Sequence, residues 1–169
     1  MEIISFDKLL LNTAFCCMAS DGHIDDREIL LIKSMCEKLP IFKDLDYKKE
    51  INSLVDEINS RGKGFISQYF DILGKSNLTE EEELTLIDFA IQTIKADNQI
   101  EYSEIKFFKN IRHRLKISDN SILAKFPDLE QFLEEDIVTE SFLKKIANQY
   151  LETVEFPHFD LIKIDSNSI

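Results

Sequence analysis

The sequence predicts an all-α fold: a single helical domain of about seven to eight helices, built from two related four-helix halves with pseudo-two-fold symmetry. Three observations carry this. Apolar residues recur at helical spacing along most of the chain. Four Gly and three Pro in 169 residues leave little material for the turns of an all-β fold. The segment Ser20 to Leu30, S-D-G-H-I-D-D-R-E-I-L, also returns 76 positions later as Ala96 to Lys106, A-D-N-Q-I-E-Y-S-E-I-K. The match reaches from Ala14/Ala90 to Ile41/Ile117, and G-F-I-S-Q-Y-F-D-I-L from Gly64 resembles S-F-L-K-K-I-A-N-Q-Y from Ser141 at an offset of 77. Two copies are too few to stack as a solenoid, so the halves, 1–76 and 77–155, are expected to close on one another.

The elements follow in order. Phe6, Leu9, Leu10, Thr13, Ala14, Cys17 and Met18 define a first helix that Ser5 can cap and Asp21-Gly22 ends. A second starts near Asp25, carries Ile29, Ile32, Met35, Cys36 and Leu39 on one face, and stops at Pro40. Asp46 to Asn59 makes a third, Gly62 and Gly64 break the chain, and Phe65 to Lys75 makes a fourth. In the second half Thr79 and Glu82 form a capping box, and E-E-E-E from Glu80 sets negative charge at the positive end of the helix dipole. That fifth helix runs to Ala96. A sixth spans Tyr102 to Leu115, short or irregular helices cover Ser118 to Lys125 and Pro127 to Glu134, and Thr139 to Val154 is a final long one. The domain thus covers 1–155, and 156–169 is a C-terminal tail, H-F-D-L-I-K-I-D alternating like a strand but with no evident partner.

Composition bounds the function. With 32 acidic against 20 basic residues, net charge −12, the chain should repel phosphate backbones, so nucleic acid is not an expected partner. No apolar run is long enough for direct membrane insertion and M-E-I-I-S-F-D-K lacks the basic start of a secretory signal, so any membrane connection would come through a partner. Cys16, Cys17 and Cys36 have no zinc-like spacing and suit small core positions, the pattern of a reduced, cytoplasmic protein. No nucleophile motif or phosphate loop is present, E-x-x-H at Glu155 to His158 has Pro157 inside it, and no catalytic residue is assigned. The basic group Arg112 to Lys116 suits the end of a helix dipole or a docking patch.

The repeated turn has two readings. D-G-x-I-x-x-x-E is the second half of an EF-hand loop, with Asp21, His23, Asp25 and Glu28 at loop positions five, seven, nine and twelve. Positions one and three would be Cys17 and Ala19, or Thr93 and Lys95, so the early carboxylates are missing and an ordinary EF-hand is excluded. Alternatively Asp25 caps a helix, Glu28 completes a capping box, Ile24 and Ile29 form a hydrophobic staple, and Gly22 or Asn98 takes a left-handed conformation. Turn mechanics do not require Asp21 or Asp97, which stand at the end of the dipole that disfavours acids by about 0.3–1 kcal/mol.

At this motif the chain resembles the TerB-like tellurite-resistance family, through F-C-C-M-A-S-D-G-H-I-D-D-R-E-I and I-Q-T-I-K-A-D-N-Q-I-E-Y-S-E-I. The resemblance implies an all-helical domain of two related halves. It also implies a non-enzymatic scaffold in bacterial responses to tellurite and other chemical stress, with other proteins as partners, among them membrane-associated stress complexes. By position it makes Asp21, Asp25, Glu28, Asp97, Glu101 and Glu104 the metal ligands. A hard divalent cation, Ca²⁺ or Mg²⁺, fits carboxylates best, and His23 keeps Zn²⁺ open. Two further readings stand beside it: a metal-free co-chaperone-type scaffold whose turns only cap helices, and a carboxylate-metal hydrolase with no general base in view. Oligomeric state is not legible.

Overall fold

The structure, a computed structural model, describes residues 4–20, 22, 24, 26–96, 102–132, 147, 150–152, 154 and 156–162. Of the six candidate ligands it covers Glu28 and Glu104, while Asp21, Asp25, Asp97 and Glu101 lie outside the described residues. The fold is all-α, and no strand occurs among the described residues.

Helix α1 (Phe6–Ala19) is apolar on nearly every side, with Leu9, Leu10, Leu11 and the run Thr13 to Ala19 all buried. A helix of that composition has no face for water, and α1 accordingly sits at the centre. It packs most extensively on α5 (Glu80–Lys95), and also on α2 (Asp26–Lys38), α3 (Tyr47–Arg61) and α6 (Tyr102–Arg112). A 3₁₀ turn η1 (Pro40–Phe42) leads into α3, and α4 (Lys63–Lys75) packs on α3 and α6. Two short elements, α7 (Asp119–Lys125) and the 3₁₀ segment η2 (Pro127–Phe132), follow α6. Of the predicted final helix, Ala147 and residues 150–152 are helical, and 139–146, 148, 149 and 153 lie outside the described residues.

A shift of 76 carries the end of α1 onto the end of α5 and the start of α2 onto the start of α6. The correspondence stops at the third element. Where a counterpart of α3 would run, Phe126 takes an extended φ and Pro127, lacking an N–H, opens η2 in place of a continuous helix.

Caps account for several boundaries. The Thr79 and Glu82 box is present with both hydrogen bonds, at 3.0 and 3.1 Å. Asp46 accepts from Lys49 N–H, and Ser118 from Ser121 N–H. Ser5 stands at the N-cap of α1, but its hydroxyl donates to the Asp7 carboxylate and caps nothing. Between α3 and α4 one residue suffices: Gly62 holds φ +54 while Gly64 is already helical, so the fourth helix starts at Lys63 and not at Phe65. A Cβ on Gly62 would meet nothing within 4 Å, so the glycine serves its backbone conformation and not a close contact.

The acidic run opening α5 divides in two. Glu80 and Glu81 are exposed as the dipole argument expects, but Glu83 turns inward, 4% exposed, and accepts from Lys116 N–H at 3.0 Å and Ile117 N–H at 2.8 Å. One carboxylate thereby satisfies two backbone donors in the α6–α7 connection. Its equivalents in the first half are Asp7, Pro40 and Ile41: proline has no N–H to offer, and the Asp7 carboxylate instead accepts from Lys8 N–H and the Ser5 hydroxyl.

The tail is not a free arm. Phe159 and Ile162 are buried at 7% and 8% exposure, and their backbone is held by Asn59 and Asn52 of α3. Those residues therefore belong to the packed structure.

Candidate functional site

The first acidic turn opens where α1 ends. Ser20, fully buried, donates its hydroxyl to Cys17 O at 2.8 Å, and Gly22 N–H returns to Ala19 O at 2.9 Å with Gly22 at φ +82. That is the left-handed termination expected at this glycine. Helix α1 runs through Ala19 and α5 through Lys95, so the residues at the first and third EF-hand positions, Cys17 with Ala19 and Thr93 with Lys95, are still helical. Cys17 and Thr93 are fully buried, and the Thr93 hydroxyl donates to Phe89 O. The half-loop is geometrically as well as chemically incomplete.

What the structure brings together is the far end of each motif. Glu28 on α2 is 2% exposed and Glu104 on α6 is 1% exposed. Both act on one sulfur: burial raises the Cys17 thiol well above its ordinary range, and the charges of Cys16, Glu104 and Glu28 raise it further, in that order. The two repeats therefore direct their last acids into the same interior region beside α1. Both residues take part in further interactions; within Glu104, the Oε2 atom is sealed from solvent and accepts no hydrogen bond.

A wall of aromatic rings sets this region in place. Phe70 and Tyr69 of α4, Phe107 of α6 and Tyr150 stack or tilt against one another at centroid distances of 5.3–6.1 Å for the pairs meeting at Phe107. Tyr150, itself fully buried, donates its hydroxyl to Ser20 O at 2.8 Å. A tyrosine buried this deeply needs an acceptor for its hydroxyl, and here that acceptor is the carbonyl at the mouth of the first turn. Tyr69 shares a 2.7 Å hydrogen bond with Thr13 on the other side of the cluster, and burial holds its phenol well above the usual value.

The other sequence candidates take part in packing. In the basic group at the end of α6, Arg112 pairs with Asp119 and Arg114 lies 4.5 Å over the Phe70 ring while donating to Asn110 O, whereas Lys116 is exposed. Cys16, Cys17 and Cys36 are free, buried thiols, as a core role requires. Among the described residues no group of three His, Cys, Asp or Glu side chains converges as a metal site.

Sequence reasoning did not single out Tyr150, Glu83, Asn52 or Asn59. A tyrosine in an otherwise apolar helical stripe was the available signal for the first. Two asparagines seven apart on one helix were the signal for the last two. No family model, curated protein or solved structure matches this chain.

Proposed function

We propose that this chain is a TerB-like, non-enzymatic module of a bacterial stress response of the tellurite and chemical-stress type. It binds a divalent cation through its two acidic turns and acts as a cytoplasmic scaffold for other proteins. Glu28 and Glu104 are the buried ligands in this reading, with Asp21, Asp25, Asp97 and Glu101 of the same turns completing the set. A bound Ca²⁺ or Mg²⁺ would neutralise the carboxylates and tie the two halves together; Zn²⁺ enters only if His23 joins.

One observation carries the reading. Glu28 and Glu104 occupy equivalent places in the repeat, both are sealed from water, and both bear on Cys17. Charged carboxylates at such depth need compensation by partners or a metal. The capping alternative has its own support, since this protein builds a capping box at Thr79. There, however, the Glu82 partner remains partly open to solvent, as an N3 glutamate can be, whereas Glu28 and Glu104 are buried. Capping would explain their position in the turn; at their depth both residues have further interactions as well, to which a cation would add.

Titration calorimetry with Ca²⁺, Mg²⁺ and Zn²⁺ on the wild type and on Asp21→Asn/Asp97→Asn tests the proposal. Saturable heat in the wild type that is lost in the double variant supports it. No binding at millimolar cation, with unchanged melting of the double variant, leaves the metal-free scaffold.

A further inference from the structure

Helices α2 and α5 pack together, as do their counterparts at the shift of 76, α6 and α1. Equivalent positions on the two seams are covered differently. On the α1–α6 seam Phe15, Ser20 and Phe107 are fully buried. Helix α4 and Tyr150 roof them: Phe65 meets Phe15 at 6.1 Å, Tyr69 and Phe70 meet Phe107 at 6.1 and 5.3 Å, and the Tyr150 hydroxyl donates to Ser20 O. The equivalents on the α2–α5 seam are Ile91, Ala96 and Leu31. Ile91 is 7% exposed, Ala96 and Leu31 are partly exposed, and Leu30 beside them is 62% exposed.

This seam forms a groove of about 590 Å³ with Leu30, Leu31, Ile91 and Ala96 in its lining. Among the described residues its charged lining side chains are two cations, Arg27 and Lys95, on a chain of net charge −12. Arg27 already has a further interaction, whereas Lys95 forms no ion pair among the described residues, so the charge match rests on Lys95. An apolar floor edged by positive charge fits a partner with an apolar face and flanking acids. Two copies of a chain of this charge repel at long range, which favours a different protein as the occupant.

From this we infer that the α2–α5 groove docks an amphipathic helix of a partner protein, one that presents aromatic residues to Leu30, Leu31 and Ile91 and a carboxylate to Lys95. The roof of the α1–α6 seam supplies the pattern, since Phe65 and Tyr69, one turn apart on α4, cover the positions equivalent to Ile91 and Leu31. Residues at i and i+4 are the usual anchors of a helix laid in a groove. Such a helix is the partner that the scaffold part of the proposed function requires, and its docking is independent of the cation.

The test uses a fluorescent peptide of residues 63–75, the roof helix itself, carrying Gly64→Glu and Gln68→Glu, which with Asp71 make an acidic edge beside Phe65, Tyr69 and Ile72. Anisotropy is read against the full chain in EDTA, so that failure of docking and failure of cation binding stay distinguishable. We expect this peptide to bind at least tenfold more tightly than one carrying Gly64→Lys, Gln68→Lys and Asp71→Lys. Binding should be lost in Leu30→Asp, whose side chain is exposed. Lys95→Glu should reverse the preference between the peptides, which separates docking in the groove from displacement of the chain's own α4. No binding, equal binding of the two peptides, or binding that either substitution leaves unchanged overturns the proposal. A wild-type dimer in sedimentation that Leu30→Asp dissociates also overturns it and assigns the groove to a second copy.

Discussion

Glu28 and Glu104 stand 76 residues apart in sequence and at equivalent points of the repeat, and both bury their carboxylates where they raise the pKa of the same thiol, Cys17. Both residues also have further interactions of their own, and a cation shared between them would add to these, so this relationship is where fold and proposed function meet.

The Glu83 clamp should matter more than the capping box one residue before it. Glu83→Ala leaves two backbone donors near Ile117 without their acceptor, a loss of about 2–4 kcal/mol. Glu82→Ala, which removes half of a partly exposed box, should cost about 0.5–1 kcal/mol. Urea unfolding of both variants checks the order, and equal losses would contradict it.

Tyr150→Phe keeps the ring in the aromatic wall and deletes the hydrogen bond to Ser20 O. A loss of about 1 kcal/mol is expected, with faster amide exchange confined to residues around the first turn. Tyr150→Ala also opens the wall and should cost about 3–5 kcal/mol.

Two glycines two residues apart should respond with opposite signs. Gly62→Ala forces a Cβ onto φ +54 and should destabilise by about 1–3 kcal/mol. Gly64→Ala, inside α4 with open space around it, should stabilise by about 0.5–1 kcal/mol.

Alkali should weaken the fold. Burial, then the Glu37 charge, pushes the Cys36 thiol up from 9.0 to about 12, and burial, then the Glu37 hydrogen bond, pushes Tyr47 up from 10.0 to about 12. In the unfolded chain both titrate at their ordinary values, so above pH 9 the unfolded state holds fewer protons than the native state and stability falls as pH rises. Below pH 9 this contribution is fully present. Unfolding free energies measured across that window should decline, and Cys36→Ala/Tyr47→Phe should decline less. The same burial predicts that all three thiols react with alkylating reagents only after unfolding.

The helices were legible because their signals are local. Leu9 to Met18 sets a helical stripe, Thr79 and Ser118 supply caps, and Pro127 breaks the third element of the second half. Gly64 looked like a breaker because composition does not tell which glycine of a pair takes the positive φ. The tail's seat was hidden for a different reason: Asn59 and Phe159 are 100 positions apart, and a side chain pairing with backbone leaves no periodic trace. The acids of the turns stood out by their repetition and their half-EF-hand spacing. The spacing of Glu28 and Glu104 carries no information on depth, so their burial appears only once α2 and α6 are packed on α1.

The most direct measurement is the melting temperature of the wild type, Glu28→Gln, Glu104→Gln and the double variant, each with saturating Ca²⁺ and with EDTA. A cation held by both acids should stabilise the wild type by about 2.7 kcal/mol at a hundredfold excess over Kd, and the two single variants should each lose most of that gain. Identical melting of the wild type with Ca²⁺ and with EDTA, repeated with Mg²⁺ and Zn²⁺, would contradict a shared metal centre at Glu28 and Glu104.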